Sequence, residues 1–177
     1  NGGNANGSSS DAAGGINVFS GSPTLKNLII TGNRRELWSG GGIHVNENGN
    51  PLVDGCTIKE NYAADGGGGI DVWRASIEIK NSTIENNTTA WGQAIQISTD
   101  DTDNFRPIVE FDNVDIINHR DSTISVIASI NNSTISINNL SFIDNRDNEN
   151  LFRLNNSDGT ISGLTFERDT SRWSIFS

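Results

Sequence analysis

The sequence Gly41-Gly42-Ile43-His44-Val45 decides the fold, because the chain repeats it at a fixed distance. The same pattern stands at Gly14-Gly15-Ile16-Asn17-Val18 and at Gly68-Gly69-Ile70-Asp71-Val72, so successive copies are 27 residues apart. A self-similar period of this length indicates a solenoid, in which each repeat is one structural unit. Three weaker copies continue the series: Gln93-Ala94-Ile95-Gln96-Ile97, Ile124-Ser125-Val126 and Phe152-Arg153-Leu154.

A second signature follows each copy of the first and keeps the same phase. It consists of Asn or Gly, then two apolar residues separated by one variable position, and a polar residue three positions later. Its copies run over 27–33, 55–61, 81–87, 113–119, 139–145 and 163–169. Low-complexity sequence would not hold two signatures in one phase, so the repeat is structural.

Apolar and polar residues alternate within each repeat, which indicates short β-strands rather than helices. One coil cannot bury its own apolar side, whereas stacked coils share a continuous core and pair their strands in parallel at about 4.8 Å. The predicted fold is therefore all-β, a right-handed parallel β-helix, or solenoid, of about six coils. Only 33% of the residues are hydrophobic, but their arrangement in short β-branched runs argues against disorder.

The alternation assigns the apolar residues of both signatures to the interior of the coils. Cys56, the only cysteine, falls in a column with Leu28, Val114, Leu140 and Leu164, so we expect a buried thiol and no intrachain disulfide. Glycine and asparagine mark the corners, where the backbone needs left-handed conformations. Two columns of stacked asparagines are predicted: Asn27, Asn81, Asn113 and Asn139, and Asn33, Asn61, Asn87 and Asn145.

The chain divides into three predicted parts. Residues 1–12 are a loop or linker, residues 13–170 form the parallel β-helix, and residues 171–177 are a terminal segment that caps the last coil or adds a strand to a partner. Two insertions are expected to break the period, at 98–106 and at 128–132. Neither end carries an amphipathic capping helix, so neighbouring coils or copies of the chain itself are the expected partners at the open ends.

Charge and hydropathy exclude several classes of partner. The formal net charge of −10 repels phosphate backbones, which argues against nucleic acid. No apolar run approaches the length of a membrane-spanning helix, so membrane insertion is not expected. The chain begins at Asn1 without a signal peptide, and we interpret it as a mature or excised segment.

The coil pattern resembles the right-handed β-helix repeats of the pectate-lyase-like superfamily. More closely, Gly-Gly-Ile together with Phe142-Ile143-Asp144-Asn145 is similar to the GGI and FxxN repeats of polymorphic outer-membrane proteins, over roughly residues 13 to 170. Other copies carry Ile in place of Phe, at Ile30, Ile58 and Ile84. The resemblance implies an extracellular or cell-surface protein that acts in adhesion. It is specific for fold rather than activity, because this fold carries lyases, hydrolases and adhesins alike.

The outward residues of the first signature form a polar ladder. His44 and Asp71 should be neighbours across one rung, with Trp73 beside them. An aromatic ring can stack on a sugar ring, so the candidate ligand is a glycan. The first outward position is occupied in successive coils by Asn17, His44, Asp71, Gln96, Ser125 and Arg153, and the next by Phe19 or Ser20, Asn46, Trp73, Ser98, Ile127 and Asn155. The predicted ligand-binding residues are Asn17, His44, Asp71, Trp73 and Gln96.

Two functions are open for this face. The leading hypothesis is a non-enzymatic extracellular β-solenoid that serves as a surface adhesin or structural module, with end-to-end stacking into a fibre as a variant. The alternative is a polysaccharide lyase or glycoside hydrolase in which His44 and Asp71 transfer protons. A glycosidase requires two carboxylates, whereas the ladder contains only Asp71, so the leading hypothesis assigns no catalytic residue.

The remaining candidates lie in loops. Asp100, Asp101 and Asp103 offer the hard oxygen ligands that calcium prefers, but the loop lacks the spacing and the glycine of an EF-hand. The alternative interpretation is a solvated acidic loop, and no other cofactor is predicted. Trp38 and Trp91 each precede a strand of the first signature, so they are expected to stack over the same corner.

Overall fold

The computed structural model describes residues 4–5, 13–89, 91–99, 105–120, 127–147, 150–171 and 174–176. Within these ranges the chain forms β-strands and no helix, and no helix there is long and apolar enough to cross a membrane. The strands are, in chain order, β1 (Asn4–Ala5), β2 (Ile16–Phe19), β3 (Thr24–Lys26), β4 (Ile29–Thr31), β5 (Arg34–Arg35), β6 (Ile43–Asn46), β7 (Leu52–Asp54), β8 (Thr57–Lys59), β9 (Tyr62–Ala63), β10 (Ile70–Trp73), β11 (Ile77–Glu85), β12 (Ile95–Ser98), β13 (Ile108–Ile117), β14 (Ala128–Asn131), β15 (Thr134–Ile143), β16 (Arg146–Asp147), β17 (Asn150–Asn155), β18 (Asp158–Glu167), β19 (Thr170–Ser171) and β20 (Ser174–Phe176).

Each strand pairs in parallel with strands from neighbouring coils, so the chain passes through every sheet once per turn. A seven-stranded sheet has the order β2-β6-β10-β12-β14-β17-β20, and an eight-stranded sheet contains β18-β15-β13-β11-β7-β3 with β4 and β8 beside them. The eight-stranded sheet stacks six rungs, which leaves about five complete turns rather than the six predicted. The predicted right-handed parallel β-helix is otherwise confirmed.

The register of the seven-stranded sheet follows the first signature. Ile43 pairs with Ile16 on one side and with Ile70 on the other, and Ile95 extends the column. Ile43, Ile70 and Ile95 are fully buried. The interval of 27 residues therefore corresponds to one turn of the solenoid in the first coils.

The fifth rung differs from the prediction. Ala128-Ser129-Ile130 occupies it, in register with Ile95-Gln96-Ile97, whereas Ile124-Ser125-Val126 was expected there and lies outside the described residues. Ile127 is fully buried rather than outward, and the segment expected as an insertion at 128–132 is largely strand β14. Side-chain volume favours Ala128 at this position. Ala128 pairs with the large Phe152 of the next rung, and a small residue leaves room for the ring.

The interior is a continuous apolar column closed by aromatic rings near the C-terminal coils. Phe142 packs against Phe152 and Phe166, with ring centroids 5.4 Å and 5.1 Å apart. Cys56 is a buried free thiol in the predicted column. Ser82 occupies the same column in the one coil whose sequence has no apolar residue at that position. Among the residues that the structure describes, interior positions are exposed near the ends of the stack, as at Leu28 and Ile161.

The corners use left-handed backbone, as predicted. One corner column has φ between 49° and 65° in every coil, although two of its positions are glycine: Asn27, Gly55, Asn81, Asn113, Asn139 and Gly163. The other predicted asparagine column forms a hydrogen-bonded ladder that also includes a histidine and an aspartate: Asn33, Asn61, Asn87, His119, Asn145 and Asp169.

Candidate functional site

A groove runs over the outer face of β6, β10 and β12 in the seven-stranded sheet. It encloses a cavity of about 400 Å³. The register aligns His44 with Asp71 and Asp71 with Gln96, so three successive coils each contribute one polar side chain to it. Because parallel strands are about 4.8 Å apart, His44 and Asp71 lie within hydrogen-bonding distance of each other.

A column of glycines explains why the outward-facing ladder is nonetheless buried. Gly67 has a φ of 57°, and a Cβ atom there would lie 2.5 Å from the Cβ atom of Asp71. Gly40 has a φ of 80°, and its Cβ would lie 2.6 Å from that of His44. The backbone entering each strand therefore folds closely over the ladder, which glycine alone permits. As a result His44 and Asp71 are only 5% and 4% exposed.

His44 and Asp71 form a buried polar pair. Nδ1 of His44 and Oδ2 of Asp71 are 2.9 Å apart and share a hydrogen bond. Burial raises the pKa of Asp71, the hydrogen bond and charge of His44 oppose that rise, and the nearby charge of Asp65 adds to it. A carboxylate bonded to one ring nitrogen fixes the orientation of the imidazole and leaves its other nitrogen available for proton transfer.

Two further polar atoms of the cavity are hydrogen-bond acceptors without a partner. Asn46 is only 3% exposed, and its Oδ1 has no hydrogen-bond partner. Oε1 of Gln96 is buried and has no partner either. A buried acceptor that lacks a donor costs about 1–3 kcal/mol. Both atoms therefore favour a donor from water or a ligand within the groove.

Aromatic and acidic side chains surround the opening of the cavity. Trp38 and Trp73 line it and are 41% and 37% exposed, so each offers part of a ring to solvent. Glu47 and Asp65 line the same opening as exposed carboxylates. Trp91 is similarly exposed, but it is bridged to Gly66 and does not line the cavity.

The structure brings together four of the five predicted ligand-binding residues. His44, Asp71, Trp73 and Gln96 line the cavity, whereas Asn17 is aligned with His44 but is exposed and lies outside it. The acidic loop with Asp100, Asp101 and Asp103 lies outside the described residues. Elsewhere, where the chain is described, no three His, Cys, Asp or Glu residues are grouped to hold a metal ion.

Trp38, Asn46, Glu47 and Asp65 were not predicted as site residues. A signal for two of them exists in the repeat, because Trp38 and Asp65 stand at the same position, five residues before the aligned Ile43 and Ile70. That position falls in the turn that leads into each strand, where the alternation of a strand gives no information about side-chain direction.

Comparison with known proteins supports the fold. The family model described as the right handed beta helix region matches residues 4–88, which contain most of the residues that line the groove. No curated protein and no solved structure shows significant similarity to the chain. The finer resemblance to pectate-lyase-like and polymorphic outer-membrane proteins stays a prediction.

Proposed function

We propose that this β-solenoid is an extracellular protein that binds glycans in the groove over β6, β10 and β12 and thereby serves as a surface adhesin or structural module. The observation that carries the proposal is a cavity with two half-exposed tryptophans around its opening and the unpaired acceptor of Asn46 inside it.

The chemistry of the groove matches the needs of sugar recognition. A pyranose ring presents apolar C–H groups on its faces and hydroxyl groups around its edge. Trp38 and Trp73 supply apolar ring surface for the faces, and the acceptors of Asn46 and Gln96 suit hydroxyl donors. The rigid solenoid holds these groups in a fixed arrangement, which reduces the entropy lost on binding.

Calorimetric titration with a panel of oligosaccharides tests the proposal. We expect Trp73→Ala to weaken binding at least about fivefold, because it removes a ring contact worth about 1–3 kcal/mol. Trp91→Ala is the matched control, since Trp91 is equally exposed but lies outside the cavity. Equal losses in both variants, or no binding by the wild-type chain, would contradict the proposal.

The open ends motivate a structural variant of this function, in which copies of the chain stack end to end. β18 is a terminal strand of the eight-stranded sheet as described, and its inward Ile161 is 38% exposed. An uncovered strand edge with apolar side chains favours pairing with another chain. Light scattering over a range of concentrations measures the association, and a monomer at every concentration would count against stacking.

The buried His44–Asp71 pair favours a second candidate function, a glycoside hydrolase. Glu47 and Asp65 join Asp71 around the cavity, so more than one carboxylate is available there for such an enzyme. A lyase that acts on uronates has less support, since none of the residues that line the cavity is a lysine or an arginine to neutralise the acid group.

A screen for cleavage of neutral and acidic polysaccharides distinguishes the enzyme from the adhesin. Hydrolysis by the wild-type chain that is lost in both His44→Ala and Asp71→Ala would establish the enzyme. Asn17→Ala is the control, because Asn17 lies on the next rung but outside the cavity. Binding without cleavage in the wild-type chain supports the adhesin.

A further inference from the structure

We infer that the groove selects glycans without acidic groups and that it binds sugars carrying a free amine most tightly. This inference rests on the proposed glycan-binding function and concerns the charge of the ligand. It is motivated by the distribution of charged and hydrogen-bonding groups around the cavity.

The charges around the cavity are predominantly negative. Glu47, Asp65 and Asp71 contribute three carboxyl groups, and His44 is the one basic residue among those that line the cavity. His44 is committed to Asp71 through their hydrogen bond at 2.9 Å. None of the residues that line the cavity is a lysine or an arginine, and Arg74, which is aligned with Glu47 on the next coil, lies outside the lining.

The negative charge of Asp65 already affects another group of the cavity, the carboxyl group of Asp71. Asp65 raises the pKa of Asp71 through its charge, in addition to the larger effect of burial. A uronate or sulfate entering the groove would meet the same repulsion, and its desolvation would not be offset by a bidentate arginine contact. An ammonium group would instead be attracted by Glu47 and Asp65 at the opening.

The hydrogen-bonding groups of the cavity also favour ligands that carry donors over acidic ligands. The unpaired atoms of Asn46 and Gln96 are acceptors, and a carboxylate can only accept. A ligand with hydroxyl or ammonium donors satisfies these atoms, whereas a ligand carboxylate adds further acceptors. Charge and hydrogen bonding therefore both exclude acidic sugars, and charge alone separates amino sugars from neutral ones.

The test is calorimetric titration at low ionic strength with three oligosaccharides of equal length: a neutral β-glucan, a chitosan oligosaccharide and an oligogalacturonate. We expect the chitosan oligosaccharide to bind at least about tenfold tighter than the oligogalacturonate, with the neutral glucan between them. In the double variant Glu47→Gln/Asp65→Asn, we expect the affinity for chitosan to fall about fivefold while the affinity for the neutral glucan changes less than about twofold.

A matched control separates the groove from the acidic surface as a whole. Glu110→Gln/Asp115→Asn removes the same amount of charge from β13 in the eight-stranded sheet, and we expect it to leave the order of affinities unchanged. Equal losses of chitosan affinity in the two double variants would overturn the inference. Binding of oligogalacturonate as tightly as chitosan would also overturn it, while leaving the proposed glycan-binding function intact. Failure of all three ligands to bind would remove the proposed function itself.

Discussion

Gly40, Gly67 and Gly92 occupy the same position in three successive coils, and each has a positive φ. A side chain at Gly92 would approach the Cβ of Gln96 at 2.8 Å, just as a side chain at Gly67 would approach Asp71. The glycines thus allow the backbone to cover the polar ladder of the groove. At the scale of single residues, they convert an exposed His–Asp pair into a buried one, in which each polar contact gains strength.

Replacing Gly67 by alanine should damage both stability and binding. Left-handed backbone costs an L-residue about 1–2 kcal/mol, and the contact with Asp71 adds a steric cost that brings the total to about 3 kcal/mol or more. Gly21→Ala is the control, because Gly21 has a φ of 86° but no atom within 4 Å of the added Cβ. Chemical denaturation measures both variants. Equal losses would show that Gly67 does not pack against Asp71.

His119 is a second residue whose burial has a measurable consequence. Burial lowers its pKa to about 3, and the hydrogen bond that the ring donates to Oδ1 of Asn145 only partly opposes this shift. In the unfolded chain its pKa is about 6.5, so between pH 6.5 and pH 3 the unfolded state takes up a proton that the native state does not. The contribution of His119 to stability is therefore fully present above pH 6.5 and decreases as the pH falls.

The variant His119→Asn tests this linkage. Below pH 6 we expect the wild-type free energy of unfolding to fall by up to about 1.4 kcal/mol per pH unit more than that of the variant. Asparagine already occupies the equivalent position of most coils, so the variant should fold. Urea denaturation between pH 7 and pH 4.5 provides the measurement, and parallel pH profiles for the two proteins would contradict the prediction.

The asparagine ladder acts at the scale of a structural element. Nδ2 of Asn61 donates to the backbone oxygen of Ile30 and to Oδ1 of Asn87, both at 3.0 Å, while its Oδ1 accepts from the backbone N–H and the side chain of Asn33. Asn87 and Asn145 likewise donate to a backbone oxygen of the coil before them, Ile58 and Ile116, and contact the ladder residue of the coil after them. Because these bonds are buried, each one fixes the register between two coils.

Asn61→Ala should cost about 2–4 kcal/mol, because it leaves several buried backbone and side-chain groups unpaired at once. Asn138→Ala is the matched control on the outer face of β15, where the amide is exposed and makes one hydrogen bond with Asp112. We expect that control to change the free energy of unfolding by less than about 0.5 kcal/mol. A small loss in both variants would show that the ladder contributes little to stability.

The strands and corners also show how much of the fold could be predicted from the sequence. The strands around Ile16, Ile43 and Ile70 and the left-handed corners follow from local alternation and from Gly and Asn positions, so they were predicted correctly. The fifth rung was not, because the choice of Ala128 over Ile124 depends on the volume of Phe152 in another coil. Four of the ten residues that line the groove come from turns, which have no strand periodicity: Trp38, Ser39, Glu47 and Asp65.

At the scale of the whole molecule, the described coils form one stack whose two large sheets differ in strand length. The eight-stranded sheet contains the longest strands, whereas the groove lies on the seven-stranded sheet where its strands are only four residues long. Short strands leave more of each coil to turns, which contribute Trp38, Glu47 and Asp65 to the cavity.

Disulfide formation between paired cysteines tests the central claim, the register of stacked coils, most directly. In a Cys56→Ser background, Glu110→Cys and Ser136→Cys face outward at aligned positions of β13 and β15, and adjacent parallel strands place Cα atoms within the range that a disulfide requires. We predict rapid and complete crosslinking of this pair under mild oxidation, and little crosslinking when Asn138→Cys replaces Ser136→Cys, which shifts the partner two residues along the strand. Equal crosslinking of both pairs, or preference for the shifted pair, would contradict the stacked register on which the fold and the groove depend.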